Sequence, residues 1–492
     1  MTELQEIAIE LAVKGYLTGE DEQRASDQEK AYWYYECEKK YIAKYLDDVL
    51  VISFEDEDLE EMQKAYINIT KKIINQTSVI YRQPAVRKIK IDDKENEELT
   101  SYYNEHLPSN INTKNKKTHR LSKLLNKTLT RVYFDKEQKR IQYLIEPSHV
   151  YRVVVDDEYR DKIKLLAYDK MLPDGVAYTI IWTKDENYRI TKDGKILSLP
   201  NNESKKNPYG IIPYAALEME EMYDYWGSPQ NDLINVNEQI NLLKTLLIND
   251  HVILGSGGTI LGVNLTPSKR GKEKSGSRRI RTGRRHPILV DDLRNDQVPP
   301  SLTHITSNPQ ITEMMNLIDW EIKSIASMKG LDPNAFLTEV KATSGFSKVM
   351  DGIVQMEIRQ DDIEPCREYE TELFEITKII NNYHVRDGMK MIPKEAKIDI
   401  DFAEIEQIKT FSEEKEEREF NKEHNLETPI DWMIQKNPDL DEPEAIEQLR
   451  KNRLINTTEG SNEKPNMVES LISKLNKNNG KKPEQLTEVE TS

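Results

Sequence analysis

Residues 228–247 read SPQNDLINVNEQINLLKTLL, and this stretch decides the architecture of the chain. Its apolar side chains recur at alternating spacings of three and four residues: Leu233, Val236, Ile240, Leu243 and Leu247. This spacing is a heptad seam, which buries one stripe of a helix against other helices. Two heptads are too few for a free-standing coiled coil, so we predict a helix that packs side by side with copies of itself through these five residues.

Two further helical patterns follow this seam along the chain. The first covers 311–329 and ends at Gly330, a natural helix stop. Its apolar residues are predicted to share one side: Met314, Leu317, Ile318, Ile322, Ile325 and Met328. After a loop-like stretch, the second pattern extends from about Gly345 to Tyr383. Alternation at 397–402 then predicts a strand.

The insertion between the first two helices, residues 255–310, differs from its surroundings in charge. We predict strands at 259–263, 286–290 and 301–305, with a basic loop at 268–286. That loop contains nine Lys or Arg residues and one acid, Glu273, in a chain whose formal net charge is −17. Such a contrast indicates a site for an anionic partner.

Upstream of the seam, the sequence changes from helical to strand patterns. Apolar spacing predicts helices through the first 75 residues, including one on Met62, Tyr66, Ile69 and Ile73. Pro84 ends that run, and a strand is predicted at 86–91. Segments rich in β-branched and aromatic residues then predict an antiparallel sheet, and hence an α+β fold: 131–134, 141–145, 151–155 and 178–182.

Composition bounds the class of protein. Of 492 residues, 32% are charged, and the mean hydropathy is −0.73. No stretch approaches the about 18 apolar residues of a membrane span, and the acidic start at Met1 is unlike a signal peptide. Two cysteines cannot build a disulfide framework. We therefore predict a soluble, intracellularly made protein without a membrane segment, with a polar helical region at 404–447 and a disordered tail from 456.

No pattern in the sequence indicates catalysis. A phosphate-binding G-x-x-x-x-G-K-[ST] is absent, and the eight histidines form no H-x-H or H-E-x-x-H pattern. Paired acids at 156–157, 291–292 and 361–362 could bind a divalent ion, but adjacent side chains point apart on a strand or helix. We predict no catalytic residue, no metal site and no cofactor.

Several short motifs occur in a family's characteristic order. Residues 73–84 read IINQTSVIYRQP and run a helix into a first strand. Residues 207–213 read NPYGIIP, similar to an "N-P-x-G-x-I-P" signature, and a Ser-x-x-x-Asp-Leu-Ile helix follows from Ser228. Thr343-Ser344-Gly345-Phe346 resembles an "S-G-x-[AS]" start of a long helix, with Ser347 in the small-residue place. Over roughly 60–410, the chain resembles portal proteins of long-tailed double-stranded-DNA phages.

The resemblance implies a portal fold and a ring of twelve subunits at one capsid vertex. Its helix-rich wing with an antiparallel sheet would take residues 1–227, and 345–403 would supply the long helix and the rest of the wing. The remaining parts would be stem helices at 228–254 and 311–329, a small α/β clip at 255–310, a tunnel loop at 330–344, a crown at 404–455, and the tail 456–492.

The resemblance also implies partners and a location. The ring would be the channel for genome packaging and ejection, with double-stranded DNA inside it. Terminase and a head–tail adaptor would dock on it, major capsid and scaffolding proteins would surround it, and it would reside in the virion after assembly in the host cytoplasm. Tunnel-loop contact candidates are Asn334, Glu339 and Lys341; clip candidates are Lys269, Arg270, Lys272, Lys274, Arg278, Arg279, Arg281, Arg284 and Arg285.

Two other function classes compete with this interpretation. One is a monomeric nucleic-acid-binding protein that uses the 268–286 loop. The other is a nuclease that uses paired aspartates and a divalent ion. Molecular mass separates a portal from both alternatives, because only the portal of the three forms a large closed ring.

Overall fold

The computed structural model describes residues 2–52, 59–60, 62–171, 175–256, 259–263, 301–305, 311–336, 345–402, 411–424, 426–437 and 441–459. The chain divides into two compact units, Met1–Gln407 and Ile408–Ser492. Helices and antiparallel sheets are mixed within the first unit, so the predicted α+β class is confirmed. Among the described residues, no helix is both long and apolar enough to span a membrane.

The helices of the first unit follow the predicted spacing in most places. Six precede the main sheets: α1 (Glu3–Lys14), α2 (Gly19–Glu36), α3 (Lys39–Leu50), α4 (Ile69–Thr77), α5 (Glu97–His106) and α6 (Ile111–Leu125). Three long ones follow the sheets: α7 (Asn231–Ser256), α8 (Ile311–Met328) and α9 (Gly345–Tyr383). Thr2 begins α1 with a capping box, in which its side chain and that of Gln5 bond each other's backbone N–H.

One predicted helix begins later than its apolar spacing suggests. Met62 and Tyr66 lie in an irregular segment, and α4 starts only at Ile69. The backbone N–H groups of this segment bond to side chains of α7, which removes the need for helical hydrogen bonds. The predicted helix on Met62, Tyr66, Ile69 and Ile73 is therefore wrong in its first half.

The strands form four antiparallel sheets in the described part of the chain. Those of the first two sheets are β1 (Val86–Ile91), β2 (Lys94–Glu95), β3 (Lys127–Asp135), β4 (Arg140–Ile145), β10 (Tyr214–Glu218) and β13 (Lys397–Asp401), in the orders β13–β1–β2 and β10–β3–β4. A five-stranded sheet runs in chain order through β5 (Tyr151–Val155), β6 (Ile163–Met171), β7 (Ala177–Thr183), β8 (Asn187–Thr191) and β9 (Ile196–Leu197). The last is the pair β11 (Thr259–Val263) and β12 (Ser301–Ile305).

The sheet β10–β3–β4 is the middle of three layers. On one face, Thr130 of β3 accepts a hydrogen bond at 2.9 Å from the hydroxyl of Tyr369 in α9. On the other face, Leu129 and Tyr214 pack in one core with Leu166 and Trp182 of the five-stranded sheet. The layering follows from alternation along the strands, which sends successive side chains to opposite faces.

The NPYGIIP segment folds as a turn held by its own asparagine. The Asn207 side-chain amide donates to the carbonyls of Thr183 at 2.8 Å and Ile211 at 2.7 Å, and its oxygen accepts from the Tyr209 N–H at 3.0 Å. Gly210 has a φ of +67°, which favours glycine. The motif thus fixes the entry of the chain into β10.

Helix α9 carries buried charges on the face that contacts the rest of the unit. The Glu370 carboxylate pairs with the Arg87 guanidinium, with nitrogen–oxygen distances of 2.5 and 2.9 Å. It also accepts from the Tyr81 hydroxyl at 3.1 Å and the Asn115 amide at 2.7 Å. Burial disfavours the charged Arg87, but Glu370 more than offsets this and raises the pKa of the guanidinium. The cluster joins α9 to α6 and β1.

The second unit contains three helices in its described part: α10 (Phe411–Glu423), α11 (Pro429–Lys436) and α12 (Glu442–Glu459). Thr428 and Asp431 form a capping box at the start of α11, and the Trp432 indole N–H donates to Glu427 at 2.7 Å. Helix α12 extends to Glu459, so residues 456–459, the first of the predicted tail, are helical. Residues 460–492 lie outside the described residues.

Candidate assembly site

The heptad seam lies on α7. This helix pairs with α8, and residues 257–310 of the insertion connect the two helices in sequence. At one end of the pair, the Lys329 ammonium lies 2.6 Å from Asp232 and 2.6 Å from the Gln230 side-chain oxygen. The start of α7 therefore meets the end of α8, and the two helices are antiparallel. This arrangement brings both ends of the insertion to the same end of the helix pair.

The structure corrects the partner of the seam. Leu233 is 2% exposed and Ile240 is fully buried, and both belong to a core that the chain builds from its own α2, α3, α4, α7 and α8. Val236, Leu243 and Leu247 are partly buried and pack against the same core. Periodicity shows that a stripe is buried but not which surface buries it. Contact between subunits through the partly buried positions stays a prediction.

A second row on α7 is polar, and it binds an irregular segment of the same chain. Four side chains spaced four residues apart accept hydrogen bonds from alternate backbone N–H groups: Asn249 from Gln63 at 3.0 Å, Thr245 from Ala65 at 3.0 Å, Asn241 from Ile67 at 2.6 Å and Asn237 from Ile69 at 2.9 Å. The amides also donate back, Asn237 and Asn241 to the Ile67 carbonyl and Asn249 to that of Gln63. We call this row the asparagine ladder. The signal that could have found it is Asn at a spacing of four.

The flank of α7 is fixed by a partly buried ion pair. The Glu238 carboxylate lies 2.7 Å from the Lys30 ammonium of α2, and Tyr34 is buried beside it. Burial raises the pKa of the Tyr34 phenol, and the charge of Glu238 raises it further. The pair of Lys30 and Glu238, with the neutral Tyr34 phenol beside it, joins α2 to α7.

Helix α8 exposes three apolar side chains on a face that does not contact the core. Ile318, Ile322 and Ile325 are buried, whereas Leu317 is 43%, Trp320 60% and Met328 71% exposed. Spacings of three and eight residues place the last three on one face, which we call the Trp320 stripe. The prediction that Leu317 and Met328 share the isoleucine side is therefore wrong. A helical wheel centred on the three isoleucines could have identified Trp320.

The predicted clip and tunnel-loop residues fall mostly outside the described residues. The strands predicted at 259–263 and 301–305 are present and pair with each other. The strand predicted at 286–290 and all nine basic candidates lie outside the described residues. Asn334 lies in a short 3-10 helix, Pro333–Phe336, whose Phe336 is buried in the core that holds the seam. Glu339 and Lys341 lie outside the described residues.

Three of the paired acids proposed for a nuclease, Asp156, Asp157 and Asp362, contact lysine or histidine side chains. Lys164 contacts both Asp156 and Asp157, at 3.4 and 2.9 Å. Asp362 is buried between Lys123 at 2.5 Å and His119 at 3.0 Å, and burial lowers the pKa of that histidine. No group of three or more His, Cys, Asp or Glu side chains suited to a metal occurs within the described ranges. Residues 291–292 lie outside them.

Comparison with known proteins adds little to these contacts. No family model and no curated protein sequence matches the chain. Among solved structures, a chain from the neck of an empty GTA particle, computed with C6 symmetry, is similar at a TM-score of 0.34 and 8% identity. The similarity covers 73% of this chain and 84% of that one. A TM-score of this size does not establish a shared fold.

Proposed function

We propose that this chain is the portal subunit of a tailed double-stranded-DNA phage. Twelve copies would form a ring at one capsid vertex, through which DNA enters during packaging and leaves during ejection. Terminase and a head–tail adaptor would dock at the end formed by residues 257–310. The chain itself would carry no catalytic residue and no cofactor, because in this proposal the terminase hydrolyses ATP.

The observation that carries the proposal is the Trp320 stripe. A monomeric soluble protein rarely exposes a large contiguous apolar patch, and such patches mark interaction sites. Here Leu317 and Trp320, one turn apart, and Met328, two turns further, are exposed on a face of α8 that does not contact the core. In a closed ring, each subunit would cover that face with a different surface of its neighbour, a head-to-tail contact.

The order of sequence motifs supplies independent support. The NPYGIIP turn, the α7–α8 pair around the insertion, and the long helix α9 occur in the order that the resemblance to portal proteins requires. The second unit follows them in the sequence, and the proposal assigns it to the crown. Asp156, Asp157 and Asp362 already contact lysine or histidine side chains, which favours a structural protein over a nuclease.

Changing Trp320 to Asp is expected to abolish ring formation while the subunits stay folded. Trp320 is 60% exposed, so the carboxylate costs little in the free subunit. In a ring it would be desolvated without a partner, which costs several kcal/mol at every interface. Native mass spectrometry and direct imaging should find rings of about 690 kDa for the wild type, twelve times 57.4 kDa, and free subunits for the variant.

Met391→Asp is the matched control. Met391 is 63% exposed in the same unit and lies outside the helix pair, so this variant should still form rings. Leu317→Asp should behave like Trp320→Asp, because the two side chains share one stripe. Intact rings for both stripe variants would refute the proposed interface, and a wild-type chain that is monomeric at every concentration would refute the portal proposal.

Replacing five arginines of the insertion by glutamine tests the proposed contact with DNA or an adaptor. The variant changes Arg278, Arg279, Arg281, Arg284 and Arg285. Each arginine–phosphate pair that the substitutions remove should reduce the slope of log affinity against log salt by about 0.9. We expect intact rings that bind double-stranded DNA at least tenfold more weakly in a salt titration. Unchanged binding with rings still formed would leave the loop without a phosphate-binding role.

A further inference from the structure

The edge of strand β10 that faces away from β3 carries no further strand in the described part of the chain. The Val132 N–H donates to the Pro213 carbonyl at 2.9 Å, and the Met219 N–H donates to the Asn126 carbonyl at 3.0 Å. The odd-numbered residues in and beside β10 therefore direct their backbone groups toward β3. In an antiparallel pair the intervening residues point their N–H and C=O groups the other way. Ala216 confirms this alternation, because its N–H donates to the Glu372 carboxylate of α9 at 2.8 Å rather than to β3.

The layers on both sides of the middle sheet extend past this edge. Glu368 and Glu372 of α9 line one side. Asp161, just before β6, and Ile163, the first residue of β6, line the other. Between them lies a cleft of about 620 Å³ that no described part of the chain fills. The cleft therefore continues the plane of the sheet β10–β3–β4, in which the next strand would lie about 4.8 Å from β10.

The two walls of the cleft differ in chemistry. On the α9 side, Glu368 and Glu372 are one helical turn apart and exposed. Lys127, whose charge acts on Glu372, is itself paired with Glu218. The walls partly desolvate Glu372, which raises its pKa to about 6, although the Ala216 N–H bond and Lys127 oppose this. The buried hydroxyl of Tyr225 in the lining has no hydrogen-bond partner in the described structure.

The remaining lining residues limit what can enter. Ile163, Ile211 and Ile212 form an apolar surface, and Glu218 is already paired with Lys127 at 2.6 Å. Lys162 and Lys184 also line the cleft, but the Lys162 ammonium lies 3.8 Å from the ring centre of Tyr159. An occupant with apolar side chains on one face and basic side chains on the other complements these walls, and alternation along a strand provides that arrangement.

We propose that the cleft binds an extended segment of another protein, with alternating basic and apolar residues, which adds to the sheet as a fourth strand beside β10. The Ala216 N–H is already bonded to Glu372, so main-chain bonds to the Ala216 carbonyl and to Glu218 would supply affinity. A basic side chain facing Glu368 and Glu372 would supply specificity. The inference is independent of ring formation, because every residue it uses lies within one subunit.

The test uses a fluorescent peptide of alternating lysine and valine, eight residues long, and the full-length chain. We expect saturable binding and slowed hydrogen exchange of peptides that cover 214–219. A second peptide, with prolines at two of the lysine positions, lacks N–H groups for the edge and should bind at least tenfold more weakly. An alternating glutamate–valine peptide should not bind.

Glu368→Lys should weaken binding of the lysine–valine peptide at least tenfold without changing subunit folding. Glu137→Lys is the matched control, since Glu137 is an exposed residue in the turn between β3 and β4 and does not line the cleft. Equal binding by both variants, equal binding of the proline peptide, or no protection at 214–219 would each overturn the proposal. Ring mass measured on Glu368→Lys keeps this result separate from the portal proposal.

Discussion

Ile240→Asp is expected to unfold the helical core rather than only to separate subunits. Ile240 is fully buried among α2, α3, α4 and α8 of its own chain. The substitution removes about 2 kcal/mol of apolar burial, and the unpaired carboxylate costs several kcal/mol more unless it protonates. The sum is comparable with the whole stability of a typical domain, about 5–15 kcal/mol. Urea denaturation followed by circular dichroism should show the decrease in stability.

Leu243→Asp separates burial from position on the seam. Leu243 belongs to the same seam but is only partly buried, so we expect a much smaller shift in the urea midpoint. Leu317→Asp, on the exposed face of α8, should leave the free energy of unfolding within about 0.5 kcal/mol of the wild type. Folded Ile240→Asp subunits with a wild-type midpoint would show that the seam is covered by other subunits and not by its own chain.

Glu370→Ala should destabilise the first unit by about 3–5 kcal/mol. The Arg87 side chain is 3% exposed, and without Glu370 its charge stays buried with no counterion. The Tyr81 hydroxyl and the Asn115 amide lose an acceptor in the same step. The free energy of unfolding in urea measures the effect directly.

Two companion variants decide whether the charge or the packing matters. Glu370→Gln keeps the shape of the side chain and an acceptor for the Tyr81 hydroxyl and the Asn115 amide, but it removes the charge. Its destabilisation should therefore be large, though smaller than that of Glu370→Ala. Glu364→Ala removes an exposed ion pair with Arg367 on the same helix and should cost less than about 1 kcal/mol. Similar destabilisation by Glu364→Ala and Glu370→Ala would contradict the assignment of a buried pair.

The extent to which sequence predicts this fold depends on where backbone and side chains find their partners. The helix at 231–256 is predictable, because a spacing of three and four needs only the helix itself. The irregular start before Ile69 is not, because its hydrogen-bond partners are distant in sequence, on α7. Strand β6 lacks alternation, since Leu165, Leu166 and Ala167 are all buried between layers.

The candidate sites divide in the same way. The basic cluster at 268–286 is visible in the sequence because charge needs no partner to be counted. The Trp320 stripe requires knowledge of which face of α8 is buried, and the cleft beside β10 requires three layers that are distant in sequence. Tertiary packing thus creates both surfaces, and a single run of residues encodes neither.

The repeat length of the asparagine ladder on α7 matches that of the chain segment it binds. Four residues of α-helix rise about 6.0 Å, and a row of such residues is inclined by about 26° to the axis, so its repeat is about 6.7 Å. Two residues of extended chain advance almost the same length. The repeat of the row on α7 therefore matches the repeat of the segment 63–69. A slip of one residue along the segment would turn the N–H groups away from the side chains of α7. A slip of two residues would pair three of the four N–H groups again, because Leu233 occupies the next position of the row.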